Sequence, residues 1–176
     1  MPRYKSHTLQ ELETFIKKHL PEKLREDLRG LRLVKEADVE CATYHHLRRF
    51  LGKDPKWLVL ARKYVKRTGK YPDLLIYKND CPRLAIELKW NRATIEKKDI
   101  QSLKAVRKRL GVNKVYWISA WYKHGELPRQ RKRLHIPNRS TEVVVTHGLT
   151  GRQLDIYKDR RKELVNQALA VKPKHQ

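Results

Sequence analysis

Residues 71–90, YPDLLIYKNDCPRLAIELKW, constrain the fold more than any other stretch of the chain. Two short apolar runs, Leu74-Leu75-Ile76-Tyr77 and Leu84-Ala85-Ile86, flank a turn at Asn79-Asp80-Cys81-Pro82. Runs of this length separated by turn-forming residues predict a β-hairpin. Asp73 leads into the first run, Glu87 follows the second, and Lys89 stands two positions further on. Strand side chains alternate faces, so Glu87 and Lys89 point one way and Leu88 the other. In simple antiparallel register around the turn, Asp73 approaches Glu87 across the strands. Two carboxylates and an ammonium then share one patch. Adjacent carboxylates repel, and a bound divalent cation relieves that repulsion. Hard oxygen ligands suit Mg²⁺ or Mn²⁺. A lysine beside such an ion would hold or help deprotonate an attacking water, or steady charge developing on a phosphate. The competing interpretation is a solvated salt bridge on a sheet face.

Charge narrows the function classes. Lys and Arg total 42 against 19 Asp and Glu, for a formal net charge of +23 and a pI near 10.2. That balance points to a polyanionic partner, nucleic acid before an anionic membrane surface. No hydrophobic stretch is long enough to span a bilayer, and Met1-Pro2-Arg3-Tyr4-Lys5 does not resemble a signal peptide. Cys41 and Cys81 make neither a disulfide framework nor a zinc pattern, and both are expected to be structural in a reducing compartment. The expected location is cytoplasmic or nucleoid-associated, not secreted. A length of 176 residues suits one domain with extensions.

Periodicity places the remaining elements. Thr8 and Glu11 form a capping-box pattern ahead of the stripe Leu9, Leu12, Phe15, Ile16, Leu20. Pro21 is expected to start a second helix, with Leu24, Leu28 and Leu31 along one side and Gly30 weakening or ending it. A third helix is predicted from Lys35 to Phe50, closed by Gly52, with Glu36 and Glu40 on one face. His45 and His46 read as surface or half-buried residues. A fourth helix is expected from Ile95 to Leu110, capped by Thr94 and closed by Gly111. Residues 115–121 read as a buried strand, parallel to its neighbour after the helical crossover. Trp121 and Tyr122 would stack on bases or, more simply, pack in the core. The run Arg129-Gln130-Arg131-Lys132-Arg133, between Pro128 and Pro137, reads as a basic loop that binds the phosphate backbone. His135, Asn138 and His147 lack the surrounding pattern of an HNH nuclease. Residues 142–145 read as a short strand, and residues 149–169 contain a last amphipathic helix.

Pro72-Asp73, the hairpin, and Glu87-Leu88-Lys89 together resemble the PD-(D/E)xK nuclease superfamily, which includes restriction endonucleases and archaeal Holliday-junction resolvases. The resemblance spans about residues 35–122. It implies an α/β, restriction-endonuclease-like core: a helix, three antiparallel strands, a helix and a further strand in one mixed sheet flanked by helices. Residues 1–34 would be an N-terminal helical extension, residues 35–125 the nuclease core, and residues 126–176 a basic loop, short strand and C-terminal helix packed on it. By the match, Asp73 and Glu87 would ligate the metal, the Leu88 backbone carbonyl would assist, and Lys89 would serve the nucleophile. Glu36 or Glu40 would complete the site from the preceding helix, with Glu40 slightly favoured. Gln101 or Lys104 would present a polar group from the following helix. The superfamily fold expects a strand across about residues 58–66. The same stretch also carries a helical pattern, from Asp54-Pro55 to Gly69. With the strand in place, Arg62, Lys63, Lys66, Arg67 and Lys70 lie beside the site and would contact phosphates.

The sequence is therefore expected to encode a Mg²⁺- or Mn²⁺-dependent DNA endonuclease, with RNA as another possible substrate and a homodimer possible if both strands are cut. The alternatives are a basic DNA-binding or RNA-binding module of the same fold without catalysis, and an RNA-associated basic protein in which the acid–lysine pattern is accidental.

Overall fold

The structure, a computed structural model, describes residues 6–62, 72–92, 95–123 and 140–170. Helix α1 (Leu9–Thr14) opens on a reciprocal cap. The Glu11 N–H donates to Thr8 Oγ1 at 3.1 Å, and the Thr8 N–H donates to Glu11 Oε2 at 2.7 Å. The helix widens into a π-helical turn at Phe15–His19 and continues as α2 (Leu20–Arg29). Sequence periodicity predicts a fresh start at Pro21, but the chain runs on without a break. Proline lacks an N–H and its ring crowds the carbonyl four residues back. A wider turn just before it accommodates both defects. One stripe, Leu12, Phe15, Ile16, Leu20, Leu24 and Leu28, stays buried through the whole rod.

Helix α3 (Glu36–Leu51) begins where the Val34 and Lys35 N–H groups donate to Asp38 Oδ2, at 2.9 and 3.1 Å. It ends at Gly52, whose φ of +62° suits a residue without a Cβ. Strand β1 (Trp57–Ala61) resolves the conflict of helix and strand signals. Trp57 and Val59 are buried while Leu58 is exposed, the period-two pattern of a sheet. Of the predicted residues 58–66, the described strand includes those up to Ala61. Arg62 turns away at φ +46°, and residues 63–71 lie outside the described residues.

Strand β2 (Leu74–Lys78) and strand β3 (Cys81–Trp90) form the expected hairpin. Its turn is tighter than the predicted Asn79–Pro82. Asn79 and Asp80 alone make it, at φ +50° and +59°, the left-handed pair that a twisted two-residue hairpin demands. Helix α4 (Lys97–Leu110) crosses back to strand β4 (Lys114–Lys123). Glu96 occupies the N-cap position of α4 in place of the predicted Thr94, which is outside the described residues. Strand β5 (Ser140–Gly148) precedes helix α5 (Gly151–Ala170).

The five strands form one sheet in sequence order. The β1–β2 and β2–β3 pairs are antiparallel, and the β3–β4 and β4–β5 pairs are parallel. Helices cover both faces of this mixed α/β sheet. Leu74, Ile76, Leu84, Ile86 and Leu88 pack with Leu12, Ile16, Leu24, Leu28, Val39 and Leu47 on one face, where Tyr157 of α5 also sits. Leu75, Ala85, Val115 and Trp117 pack with Ile100, Leu103 and Val106 of α4 on the other. The N-terminal helices share the hairpin's core, and each fully buried leucine there is worth roughly 1.5–3 kcal/mol. Tyr122 is core as well: its hydroxyl donates to the Leu28 carbonyl at 2.8 Å. Among the described residues no helix is long and apolar enough to cross a membrane.

Candidate active site

A bulge decides where the hairpin acids fall. Tyr77 pairs with Pro82 but Ile76 pairs with Leu84, so Arg83 is an extra residue in β3. Beyond it Leu74 faces Ile86, the last pair of the ladder; carried one residue further, the same register sets Asp73, in the bend before β2, toward Glu87. Continued without the bulge, the register would set Asp73 opposite Ile86 and put the two acids on opposite faces. With it, Asp73, Glu87 and Lys89 share the α4 face, at the end of the sheet where β2 and β3 diverge.

Asp73 sits in the bend before β2, tied at both ends. Its carbonyl accepts from the Arg62 N–H at 2.8 Å, and its Oδ2 accepts from the Leu88 N–H at 2.6 Å. A strand residue directs its N–H and C=O to the same side, so the Leu88 carbonyl also belongs to the Asp73 edge. Lys89 Nζ donates to Glu87 Oε1 at 2.7 Å and lies 3.9 Å from Glu36 Oε1. The Glu87 and Lys89 side chains are each 14% exposed. Burial of these charges shows in their protonation. Asp73 is pushed up to about 7 by burial and then by the Glu87 carboxylate, against the Leu88 N–H and Lys89. Glu87 is raised by burial, with Asp99 and Glu36 adding to it and Lys89 opposing. Burial alone would lower the Lys89 ammonium, but Glu87, Glu36 and Asp73 outweigh it and hold it above its ordinary value. Lys89 is thus a cation at neutral pH, a donor rather than a base.

The two glutamates of α3 part ways. Glu36 reaches toward Lys89, whereas Glu40 is taken by Arg62, whose Nε and Nη2 donate to its Oε2 at 2.9 and 2.8 Å. Gln101 and Lys104 are both exposed, because α4 turns Asp99, Ile100, Leu103 and Val106 inward. Asp99 is the polar group that α4 does present. It is 5% exposed, and its Oδ2 accepts from Trp117 Nε1 at 3.3 Å. Trp117 is the β4 partner of Glu87. Asp99 was not singled out in the sequence, because it stands in a lysine-rich first turn. Its place on the apolar stripe with Ile100 and Leu103 was the available signal. Lys89 pairs with Ser119, a buried residue whose Oγ donates to the Arg92 carbonyl. The predicted phosphate contacts Lys66, Arg67, Lys70, Arg129, Arg131, Lys132 and Arg133 lie outside the described residues, as do His135 and Asn138. Cys41 and Cys81 are exposed and unpaired, while His46 is partly buried with Nε2 2.7 Å from Asp27 Oδ2.

The donor chemistry fits a hard divalent cation. Asp73 and Glu87 supply carboxylates on one face, both with proton affinities raised first by burial, and the Leu88 carbonyl adds a neutral oxygen. Among the described residues no group of three or more His, Cys, Asp or Glu side chains is arranged to hold a metal ion. Two hollows, of about 350 Å³ beside Phe15 and Phe50 and about 270 Å³ beside Asp27 and His46, include none of Asp73, Glu87 and Lys89.

Comparisons with known proteins add little. No family model matches the chain, and the search of curated proteins gives no match. One solved structure is a refined half-complex from the tetradecameric assembly of Thermococcus gammatolerans McrB AAA+ hexamers with bound McrC. It covers 74% of this chain and 33% of that chain, at 14% sequence identity and a TM-score of 0.41. The chain therefore spans about a third of that protein's length. An overlap this loose carries no argument about function.

Proposed function

We propose that the protein is a divalent-metal-dependent endonuclease of restriction-endonuclease-like fold, hydrolysing DNA phosphodiester bonds. One observation carries this most directly: a β-bulge brings Asp73 and Glu87 to one face beside Lys89, in a chain of net charge +23. Asp73 and Glu87 would hold Mg²⁺ or Mn²⁺ with the Leu88 carbonyl. When bound, the ion supplies Lewis acidity toward a phosphoryl oxygen. Asp73 would hold the ion as the carboxylate, the form that burial disfavours without a cation. Lys89 stays protonated, orients the attacking water and donates to charge building on the phosphate. Glu36, 3.9 Å from the Lys89 ammonium, would help hold it in place with Glu87 serving the ion. The Leu88 N–H fixes the Asp73 carboxylate, and Asp99 holds Trp117, the β4 neighbour of Glu87. The excess of basic side chains draws the polyanion in without reading its sequence.

The test is cleavage of labelled DNA with Mg²⁺, Mn²⁺ or EDTA by the wild-type, Asp73→Ala and Glu87→Ala proteins. Metal-dependent cutting lost in both variants, with DNA affinity kept, is the expected result. Cutting at the wild-type rate by the variants rejects the assignment. Tight binding with no cutting in any metal instead supports a DNA-binding or RNA-binding module, in which the Glu87–Lys89 pair is structural.

A further inference from the structure

Glu40 has an occupation other than metal binding. Arg62 grips it side-on, with Nε donating to Oε2 at 2.9 Å and to Oε1 at 3.2 Å, and Nη2 donating to Oε2 at 2.8 Å. The Glu40 side chain is 13% exposed and that of Arg62 is 62% exposed. A guanidinium carries more N–H donors than a side-on fork uses. Both hydrogens on Nη1 and one on Nη2 remain on the outer edge, and no described residue accepts from them. The backbone of Arg62 is fixed too. Its N–H donates to the Asp73 carbonyl at 2.8 Å, and its φ of +46° is a left-handed conformation that a side chain adopts only under constraint. An arginine anchored to Asp73 through its backbone and to α3 through its side chain is preorganised, with an outer edge that no described residue takes and that suits phosphate.

We infer that Glu40 is a positioning residue that presents the outer edge of Arg62 to a phosphodiester oxygen, forming a phosphate subsite beside Asp73. This rests on the proposed nuclease function. Glu36, not Glu40, is then the α3 acid that belongs to the Asp73–Glu87–Lys89 cluster. Freezing Arg62 beforehand removes part of the ordering cost of substrate binding.

A double-substitution cycle tests the inference. Wild type, Glu40→Gln, Arg62→Ala and the doubly substituted protein are compared in single-turnover cleavage of a labelled duplex in Mg²⁺, and in duplex binding over a salt series in EDTA. Arg62→Ala is expected to raise KM about tenfold and to lower the slope of log affinity against log salt by about one phosphate contact. Glu40→Gln is expected to lower kcat/KM about threefold to tenfold when Arg62 is present and to change nothing when it is absent. Mn²⁺ affinity, titrated directly, should be the same in Glu40→Gln and wild type. Arg62→Lys, which keeps the charge but not the fork, should raise KM as Arg62→Ala does while keeping the salt slope, and covers the case in which alanine disturbs folding. Equal effects of Glu40→Gln with and without Arg62, or weakened Mn²⁺ binding, would overturn the inference. If the wild type does not cut, the nuclease assignment falls separately, and the cycle is scored on duplex affinity: an effect of Glu40→Gln that does not depend on Arg62 sinks it.

Discussion

Replacing Asp73 with asparagine should make the metal-free protein more stable while abolishing the proposed cleavage. Its carboxyl is pushed up to about 7 from 3.8, by burial first and the Glu87 carboxylate second. Between those values the folded protein holds a proton that the unfolded chain has released. Folding stability therefore falls as pH rises through that window, and above about 7 the fold carries the full cost of a disfavoured carboxylate. At about 1.4 kcal/mol per pH unit across the window from 3.8 to about 7, the ceiling is about 4 kcal/mol. Partial exposure and the shared titration with Glu87 reduce this to about 1–3 kcal/mol. Asparagine removes the charge and keeps an oxygen for the Leu88 N–H. In urea denaturation with EDTA, Asp73→Asn should gain about 1–3 kcal/mol at pH 8.5, and the gain should shrink toward zero near pH 4. Mg²⁺ should stabilise the wild type and not the variant. A neutral or destabilising effect at pH 8.5, or a gain independent of pH, refutes the reasoning.

Lys89→Ala leaves Glu87 buried without its ammonium and should lower single-turnover cleavage by about 10²–10⁴-fold, with duplex affinity nearly unchanged. Asp99→Asn keeps an acceptor for Trp117 but removes a charge that raises Glu87. The acid limb of the pH–rate profile should therefore move to lower pH. Thr8→Ala removes the acceptor of the N-terminal cap and should cost about 1 kcal/mol in thermal or urea unfolding without altering cleavage.

The hairpin acids were legible because alternation and turn chemistry act over a few residues. Their final alignment was not: it depends on the extra residue Arg83, which a strand pattern does not announce. Residues 54–69 carried both helix and strand signals, and pairing of Trp57–Ala61 with Leu74–Lys78 settled them for the strand where the chain is described. Pro21 signalled a helix start, yet the buried stripe from Leu12 to Leu28 favoured one rod with a widened turn. The choice between Glu36 and Glu40 was open because both share a helical face. In the structure Arg62, at φ +46°, pairs with Glu40, while Glu36 lies 3.9 Å from Lys89. Asp99 was hidden among lysines, and only the packing of α4 on β3 and β4 shows that it points inward.

The most direct measurement is cleavage of a labelled panel of duplex, branched and single-stranded DNA and RNA by the purified protein, in Mg²⁺ and in EDTA. Cutting of DNA in Mg²⁺ that stops in EDTA, and that Lys89→Ala reduces at least a hundredfold, is the expected result. Binding of the same substrates with no cutting in Mg²⁺ or Mn²⁺ would contradict it, and would leave Asp73, Glu87 and Lys89 as a buried charge cluster in a nucleic-acid-binding protein.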